Sequence, residues 1–334
     1  MSKPVIVILD QMHEDGATRA AEDAEVIEIY GPDKAKADNA LGRADAILVR
    51  STIVGDALLA KAPHLKAVGK HGSGVDNIDI PALTRRGVAL ANTPGLANAT
   101  AVSEGAVTLM LAVLKLTFDV HQAVLDGEFK IRVSLRVGDM WKRTVGIIGL
   151  GNIGTHVARI CGLGFNMRVL AYDPYVTAEQ MTEKGAEKVD ALPDLLAQSD
   201  IVTLHCPLTP ETHHMIAAAE FAMMKPSAIL VNASRGSTVD ENALIDALKS
   251  GQIAGAGVDV FEEEPPTKAT SPLLSLTGTN LVLSPHMAGL TNESTSQMAI
   301  RSVEVVLDIL NGRRPSTLLN PEVWETHFAG AASA

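Results

Sequence analysis

Cysteine is nearly absent. Cys161 and Cys206 are the only two in 334 residues, too few for a disulfide framework or a thiolate metal cluster and suited to a reducing cytosol. Basic excess is missing too. With 28 Lys+Arg against 39 Asp+Glu, a formal charge of −11, no global positive field recruits nucleic acid or an anionic membrane. Long apolar runs are also lacking: the longest, residues 105–118, is interrupted by Lys115 and is too short to span a bilayer. The start, Met1-Ser2-Lys3-Pro4, leads into a short apolar strand and then Asp10, without the apolar core of a signal peptide. Internal repeats and low-complexity tracts are absent. A hydrophobic share of 46% with 20% charged residues excludes disorder. These exclusions leave a soluble cytoplasmic chain, and its length suggests two domains.

Short β-branched runs at residues 5–9, 26–29, 46–49, 65–68 and 88–90 alternate with Ala-rich helical intervals, the pattern of a parallel α/β sheet. One long helix, apolar over most of its circumference, is expected from about residue 99 to 125. A second α/β stretch opens with the strongest strand signal, residues 144–148, and continues with strands near 167–171, 201–204, 228–231, 254–258 and 281–283. Six parallel strands suit a doubly wound sheet. A last amphipathic helix, residues 292–310, stops at Asn311-Gly312 and Pro315, and the final twenty residues read as a tail.

Gly149-Leu150-Gly151-Asn152-Ile153-Gly154 fits G-x-G-x-x-G, which alone is weak. Its context strengthens it: a fully apolar strand precedes it, a helix follows, and Asp173 ends the next strand, 19 residues after Gly154. One glycine makes the turn, one admits a pyrophosphate, and one lets helix and strand pack, with the phosphates at the helix N-terminus. A carboxylate at Asp173 accepts hydrogen bonds from adenosine ribose hydroxyls and repels a 2′-phosphate, which favours NAD over NADP. The fingerprint lies mid-chain, unlike its N-terminal place in lactate, malate and most short-chain dehydrogenases.

Further motifs follow in order: His205-Cys206-Pro207-Leu208-Thr209, Val231-Asn232-Ala233-Ser234-Arg235-Gly236, Gly257-Val258-Asp259-Val260-Phe261 through Glu264-Pro265, and Ser284-Pro285-His286. Together with Gly72-Ser73-Gly74-Val75-Asp76-Asn77-Ile78-Asp79 they make the chain resemble the D-isomer-specific 2-hydroxyacid dehydrogenase family over nearly its whole length. The resemblance implies an α/β fold of two doubly wound parallel-sheet domains. A Rossmann NAD domain, residues 99–289, would be inserted into a flavodoxin-like substrate domain, residues 1–98 and 290–334.

It also implies NAD-dependent hydride transfer at C2 of a small D-2-hydroxy acid by Arg235, Glu264 and His286. Arg235 would grip the substrate carboxylate, His286 would act as general base and acid, and Glu264 would support the imidazolium. Cofactor contacts are implied at Gly149, Gly151, Asn152, Ile153, Gly154, Tyr172, Asp173, Pro174, His205, Cys206, Pro207 and Thr212. Others fall at Ala233, Ser234, Arg235, Asp259 (receiving the nicotinamide carboxamide), His286, Ala288 and Gly289. Substrate contacts are implied at Arg50, Ser51, Lys70, His71, Gly72, Ser73, Gly74 and Asn98, besides Arg235 and His286. If Lys70 and His71 face the substrate, it carries a second anionic group, as 3-phosphoglycerate does; hydroxypyruvate or glyoxylate is the alternative. A homodimer is expected, paired through the long helix. Cys206 lacks a nucleophile's setting, and adjacent His213-His214 point apart on a helix, so no metal site is expected. A rival of another class is an NAD-sensing binding protein without turnover.

Overall fold

The computed structural model describes residues 3–31, 33–93 and 98–328. The chain divides into two compact units, one made of Met1–Asn98 and Leu290–Ala334 and the other of Ala99–Gly289.

In the first unit, β1 (Val5–Ile8), β2 (Glu25–Glu28), β3 (Ala46–Val49), β4 (Ala67–Lys70) and β5 (Ala89–Asn92) form a sheet in the order β2-β1-β3-β4-β5. Every pairing is parallel. β1, β3 and β4 are buried along their whole length, which is why they read as unbroken apolar runs, as strands covered on both faces do. The Asn292–Leu310 helix returns from the far end of the chain to cover this sheet. A Cβ on Gly69 of β4 would lie 2.7 Å from the Ser302 carbonyl oxygen and from Val306 Cγ1, so sheet and helix meet through backbone.

The expected tail is instead packed as far as Phe328. Leu318 bridges antiparallel to Ala91. The Asn320 carboxamide accepts the Leu90 N–H at 2.8 Å and donates to the Val88 carbonyl at 2.9 Å, so the segment covers the edge strand β5. A polar side chain that finds its partners on a distant strand leaves no periodic signal.

The second unit holds β6 (Thr144–Ile148), β7 (Arg168–Tyr172), β8 (Glu187–Lys188), β9 (Ile201–Leu204), β10 (Ile229–Asn232), β11 (Gly255–Val258) and β12 (Leu281–Leu283). Their order is β12-β11-β10-β9-β6-β7-β8. The strand order reverses between β6 and β9, where a doubly wound sheet opens its ligand crevice at the strand C-termini. The sheet has seven strands rather than the expected six. The extra one, β8, is a two-residue charged edge strand paired to Leu170 and Ala171, with no apolar run to announce it.

The single helix expected over residues 99–125 is two helices, Ala99–Leu114 and Thr117–Leu125, bent by 57°. Leu116 turns left-handed (φ 49°), and the Gly138 amide takes the Leu114 carbonyl at 2.8 Å. The apolar pattern runs across this break, so periodicity hides it. Among the described residues no single helix is long and apolar enough to cross a membrane.

Candidate active site

The three fingerprint glycines each meet a different steric demand. Gly149 (φ 90°) lies where a Cβ would come within 2.8 Å of the Cys206 amide nitrogen, so the loop after β6 presses on the end of β9. A Cβ on Gly154 would lie 2.1 Å from the Gly149 carbonyl oxygen, which makes glycine obligatory for the close return of the helix. A Cβ on Gly151 would meet no protein atom within 4 Å. Gly151 is also the N-cap of the Asn152–Arg159 helix and offers no side-chain cap, so this N-terminus has space and amides for a pyrophosphate. Asn152 there is exposed and Ile153 half-buried.

Asp173 follows β7, between half-buried Tyr172 and exposed Pro174. Its carboxylate accepts the Leu150 N–H at 2.9 Å and the Tyr175 N–H at 3.0 Å. It therefore ties the glycine loop to the neighbouring strand end. Lys184, which carries no motif, donates to the Leu150 carbonyl at 2.7 Å from the other side.

Arg235, Glu264 and His286 converge on the C-terminal ends of β10, β11 and β12. His286 Nδ1 and Glu264 Oε2 lie 2.7 Å apart, and Glu264 Oε1 accepts the Phe261 N–H at 3.1 Å. Partial burial pushes the Glu264 carboxyl up, but the His286 and Phe261 hydrogen bonds and the nearby Arg235 charge outweigh it and hold it below the usual carboxylate range. Arg235 Nη1 donates to the Ser234 carbonyl at 2.7 Å. Its backbone is set by Asn232, whose Nδ2 donates to the Arg235 carbonyl at 2.9 Å while its Oδ1 accepts from the Ser234 amide and hydroxyl. The motif read from the sequence contains Asn232 but gave it no site role; the signal was an amide closing an otherwise apolar strand. Ala233 and Ser234 are buried.

Asp259, 1% exposed, spends both carboxylate oxygens on backbone: one accepts the Met287 N–H at 2.8 Å, the other the Ala288 N–H at 2.9 Å. Its own carbonyl accepts the His286 N–H at 2.7 Å. His286 is itself left-handed, at φ 56°. Asp259 thus holds the loop that presents the imidazole, a role beyond the carboxamide contact expected of it. Gly105 adds a second restraint, since a Cβ there would lie 2.7 Å from Ala288 Cα; Ala288 and Gly289 are half-buried.

After β9, the His205 ring is bonded to Thr203 Oγ1 at 2.9 Å, and burial pushes it down to about 4, so it is neutral. Burial pushes the Cys206 thiol up to about 11, which removes it as a thiolate nucleophile. Thr212 Oγ1 donates to the Pro207 carbonyl and accepts the Thr209 amide, both at 2.7 Å, which shapes this loop. His213 and His214 lie in a turn rather than on a helix, and instead of pointing apart as expected their rings lie 4.0 Å apart between centroids, tilted by 31°. Among the described residues no cluster of three metal-ligating side chains occurs.

In the first unit, Asp10 after β1 accepts the amides of Arg50, Ser51 and Thr52, fixing the loop after β3 at this sheet's own order reversal. Lys70 is 6% exposed and donates to the Arg50 carbonyl. His71 is 4% exposed; burial and the nearby Arg50 and Lys70 charges push it down to about 4. Gly72 (φ 105°) donates to Thr93 Oγ1 at 2.7 Å. Ser73 is exposed, and Gly74 and Asn98 are half-buried.

Residues 107–288 match the family model of the D-isomer specific 2-hydroxyacid dehydrogenase NAD binding domain. A glyoxylate reductase of Korarchaeum cryptofilum is 43% identical over 265 residues, 78% of this chain and 78% of that protein. A D-3-phosphoglycerate dehydrogenase of Methanocaldococcus jannaschii is 37% identical over 316 residues, 94% of this chain. The chain spans 59% of the length of that relative. Among solved structures, D-mandelate dehydrogenase of Rhodotorula graminis matches with a TM-score of 0.83 at 30% identity, covering 95% of this chain and 98% of the other. The glycine loop, the strand-end carboxylate and these matches agree: the chain belongs to the D-isomer specific 2-hydroxyacid dehydrogenase family.

Proposed function

We propose that this chain is an NAD-dependent oxidoreductase that transfers hydride between C2 of a small D-2-hydroxy acid and NAD, with Arg235, Glu264 and His286 as its catalytic group. The observation that carries the reading is the 2.7 Å contact of Glu264 with His286 Nδ1. A carboxylate on Nδ1 keeps the proton there and leaves Nε2, which has no protein partner among the described residues on a half-exposed ring, to exchange a proton with the substrate oxygen. Glu264, ionised at neutral pH, stabilises the imidazolium that forms on oxidation. The Arg235 guanidinium holds the substrate carboxylate. NAD, when bound, supplies the hydride acceptor. Asp173 favours NAD over NADP, because a 2′-phosphate would bring a second anion to its carboxylate.

NADH consumption with phosphohydroxypyruvate, hydroxypyruvate, glyoxylate, oxaloacetate and pyruvate tests the reading. Turnover is expected, and His286→Ala should lower it about 10²–10⁴-fold with NADH binding retained. NADH affinity without turnover on any acid would identify a binding protein instead. Among substrates, hydroxypyruvate or glyoxylate is proposed before 3-phosphoglycerate, because His71 is neutral and the Lys70 ammonium, though charged, is buried and hydrogen-bonded to the Arg50 carbonyl.

The working form is proposed to be a cytoplasmic homodimer. The Ala99–Leu114 half of the helix expected to pair is largely buried within its own unit, whereas Phe118, Leu125, Phe129, Val133 and Trp141 after it are exposed; a shared patch of these side chains would be a surface that a second copy covers. A monomer mass in sedimentation at micromolar concentration would count against it.

A further inference from the structure

The run Glu262-Glu263-Glu264 separates into three different environments. Glu264 meets His286, Glu263 is exposed, and Glu262 turns to the helix that follows Arg235. That helix, Glu241–Ser250, begins with a carboxylate only 6% exposed. Glu241 Oε1 accepts the Glu262 N–H at 3.0 Å while Glu262 Oε1 accepts the Glu241 N–H at 3.0 Å. The second Glu241 oxygen accepts the Ser271 hydroxyl at 2.6 Å. A buried carboxylate is thus satisfied wholly by groups of the segment that carries Glu264.

Two further contacts join the same pair of loops. A Cβ on Gly236 would lie 1.9 Å from the Phe261 carbonyl carbon, so the residue after Arg235 rests directly on the backbone that leads to Glu264. His214 donates its backbone N–H to the Ser237 carbonyl and places Nε2 3.2 Å from Glu262 Oε1. The Arg235 loop and the Glu264 loop are therefore fastened by a reciprocal carboxylate–amide pair on one side and a backbone contact on the other.

We propose that Glu241, acting with Glu262, is a positioning residue for hydride transfer: the reciprocal pair fixes the Glu264–His286 couple in register with the Arg235 guanidinium. The inference rests on the catalytic reading of Arg235, Glu264 and His286. Its physical basis is that the carboxylate grip and the proton exchange act on adjacent atoms of one small acid, so a shift of the two loops against each other spoils both together. A misplacement of about 1 Å is enough for a loss of roughly 10²-fold in rate. The glycine loop and Asp173, where the pyrophosphate and adenosine ribose are expected, lie at other strand ends, so NADH affinity should change far less than turnover.

Steady-state kinetics with NADH and glyoxylate or hydroxypyruvate test it, alongside NADH dissociation constants from fluorescence and melting curves. Glu241→Ala is expected to lower kcat/KM by about 10²-fold, with both kcat and KM affected and NADH binding within twofold of wild type. Glu241→Gln, which keeps an acceptor for the Glu262 amide, should recover most of that loss, a rescue that a general loss of stability would not give in kcat and KM alone. Glu262→Ala, at the half-exposed end of the pair, preserves the core and decides the matter if Glu241→Ala does not fold; it should lose at least fivefold in kcat/KM. Wild-type kcat and KM in Glu262→Ala, or in folded Glu241→Ala, overturn the proposal. Arg235→Ala and His286→Ala run beside them separate the two failures: if those retain turnover the catalytic reading itself falls, whereas if they lose it while the glutamate variants do not, only the positioning role falls.

Discussion

Replacing Asp259 with alanine removes the acceptor that holds the His286 loop. In the native arrangement its two carboxylate oxygens take the Met287 and Ala288 amides at 2.8 and 2.9 Å, and the side chain is almost fully enclosed. Alanine leaves two amides without their acceptor, at about 1–3 kcal/mol each. The loss, roughly 2–6 kcal/mol for the present loop path, matches or exceeds the ~1–3 kcal/mol strain of a left-handed non-glycine residue such as His286. The loop should therefore relax toward an unstrained path that lets water reach the amides, which limits the global loss of stability but moves the imidazole. The expected result is a fall in kcat of about 10²-fold with NADH affinity little changed and a modest drop in melting temperature. Asp259→Asn should resemble alanine more than aspartate, because a carboxamide has one acceptor for two N–H donors and presents its own NH₂ to the other. Stopped-flow transfer at saturating NADH isolates the chemical step. Wild-type kcat in Asp259→Ala, or a defect confined to NADH affinity, would refute the loop-holding argument and leave only the carboxamide contact.

The glycine loop gives a paired test: Gly151→Ala should melt with the wild type yet bind NADH at least tenfold more weakly, whereas Gly154→Ala, whose Cβ would meet the Gly149 carbonyl at 2.1 Å, should lose about 1–3 kcal/mol of stability; equal melting temperatures would refute it. His71 falls from the ordinary 6.5 to about 4 in the folded chain, so the unfolded state binds the extra proton. Stability is then full above pH 6.5 and declines as pH falls to 4, by about 3 kcal/mol in all; His71→Gln should flatten that part of a melting-temperature profile, and an unchanged slope would exclude it as the source. Cys206, with its thiol pushed up to about 11, should leave turnover insensitive to iodoacetamide at pH 7.5, and rapid inactivation prevented by Cys206→Ser would contradict its burial.

Several parts of the site were legible because their physics is local. The β6 turn requires glycine at three fixed offsets, and a carboxylate two strands into an α/β unit stands out against an apolar run. Strand positions such as Ala46–Val49 and Thr144–Ile148 were legible for the same reason, since burial on both faces admits only apolar side chains. Elements whose stability comes from distant partners were not. β8 exists because Leu170 and Ala171 offer a free edge, the bend at Leu116 because Gly138 reaches the Leu114 carbonyl, and the packed end because Asn320 fits the edge of β5.

The division is sharpest among the acidic residues. Sequence alone determined that a glycine fingerprint, a strand-end carboxylate and an Arg…Glu…His series lie in one order along an α/β chain, because spacing and local backbone demands fix those features. The Glu264–His286 pairing was already implied by the family resemblance, but only the tertiary structure decided what the other carboxylates do: Asp173 ties the glycine loop, Asp259 holds the His286 loop, and Glu241 and Glu262 each accept the other's amide. A carboxylate has no preferred partner of its own. It takes whichever N–H groups the fold leaves unsatisfied within reach, and those amides come from segments whose proximity depends on the whole sheet being assembled.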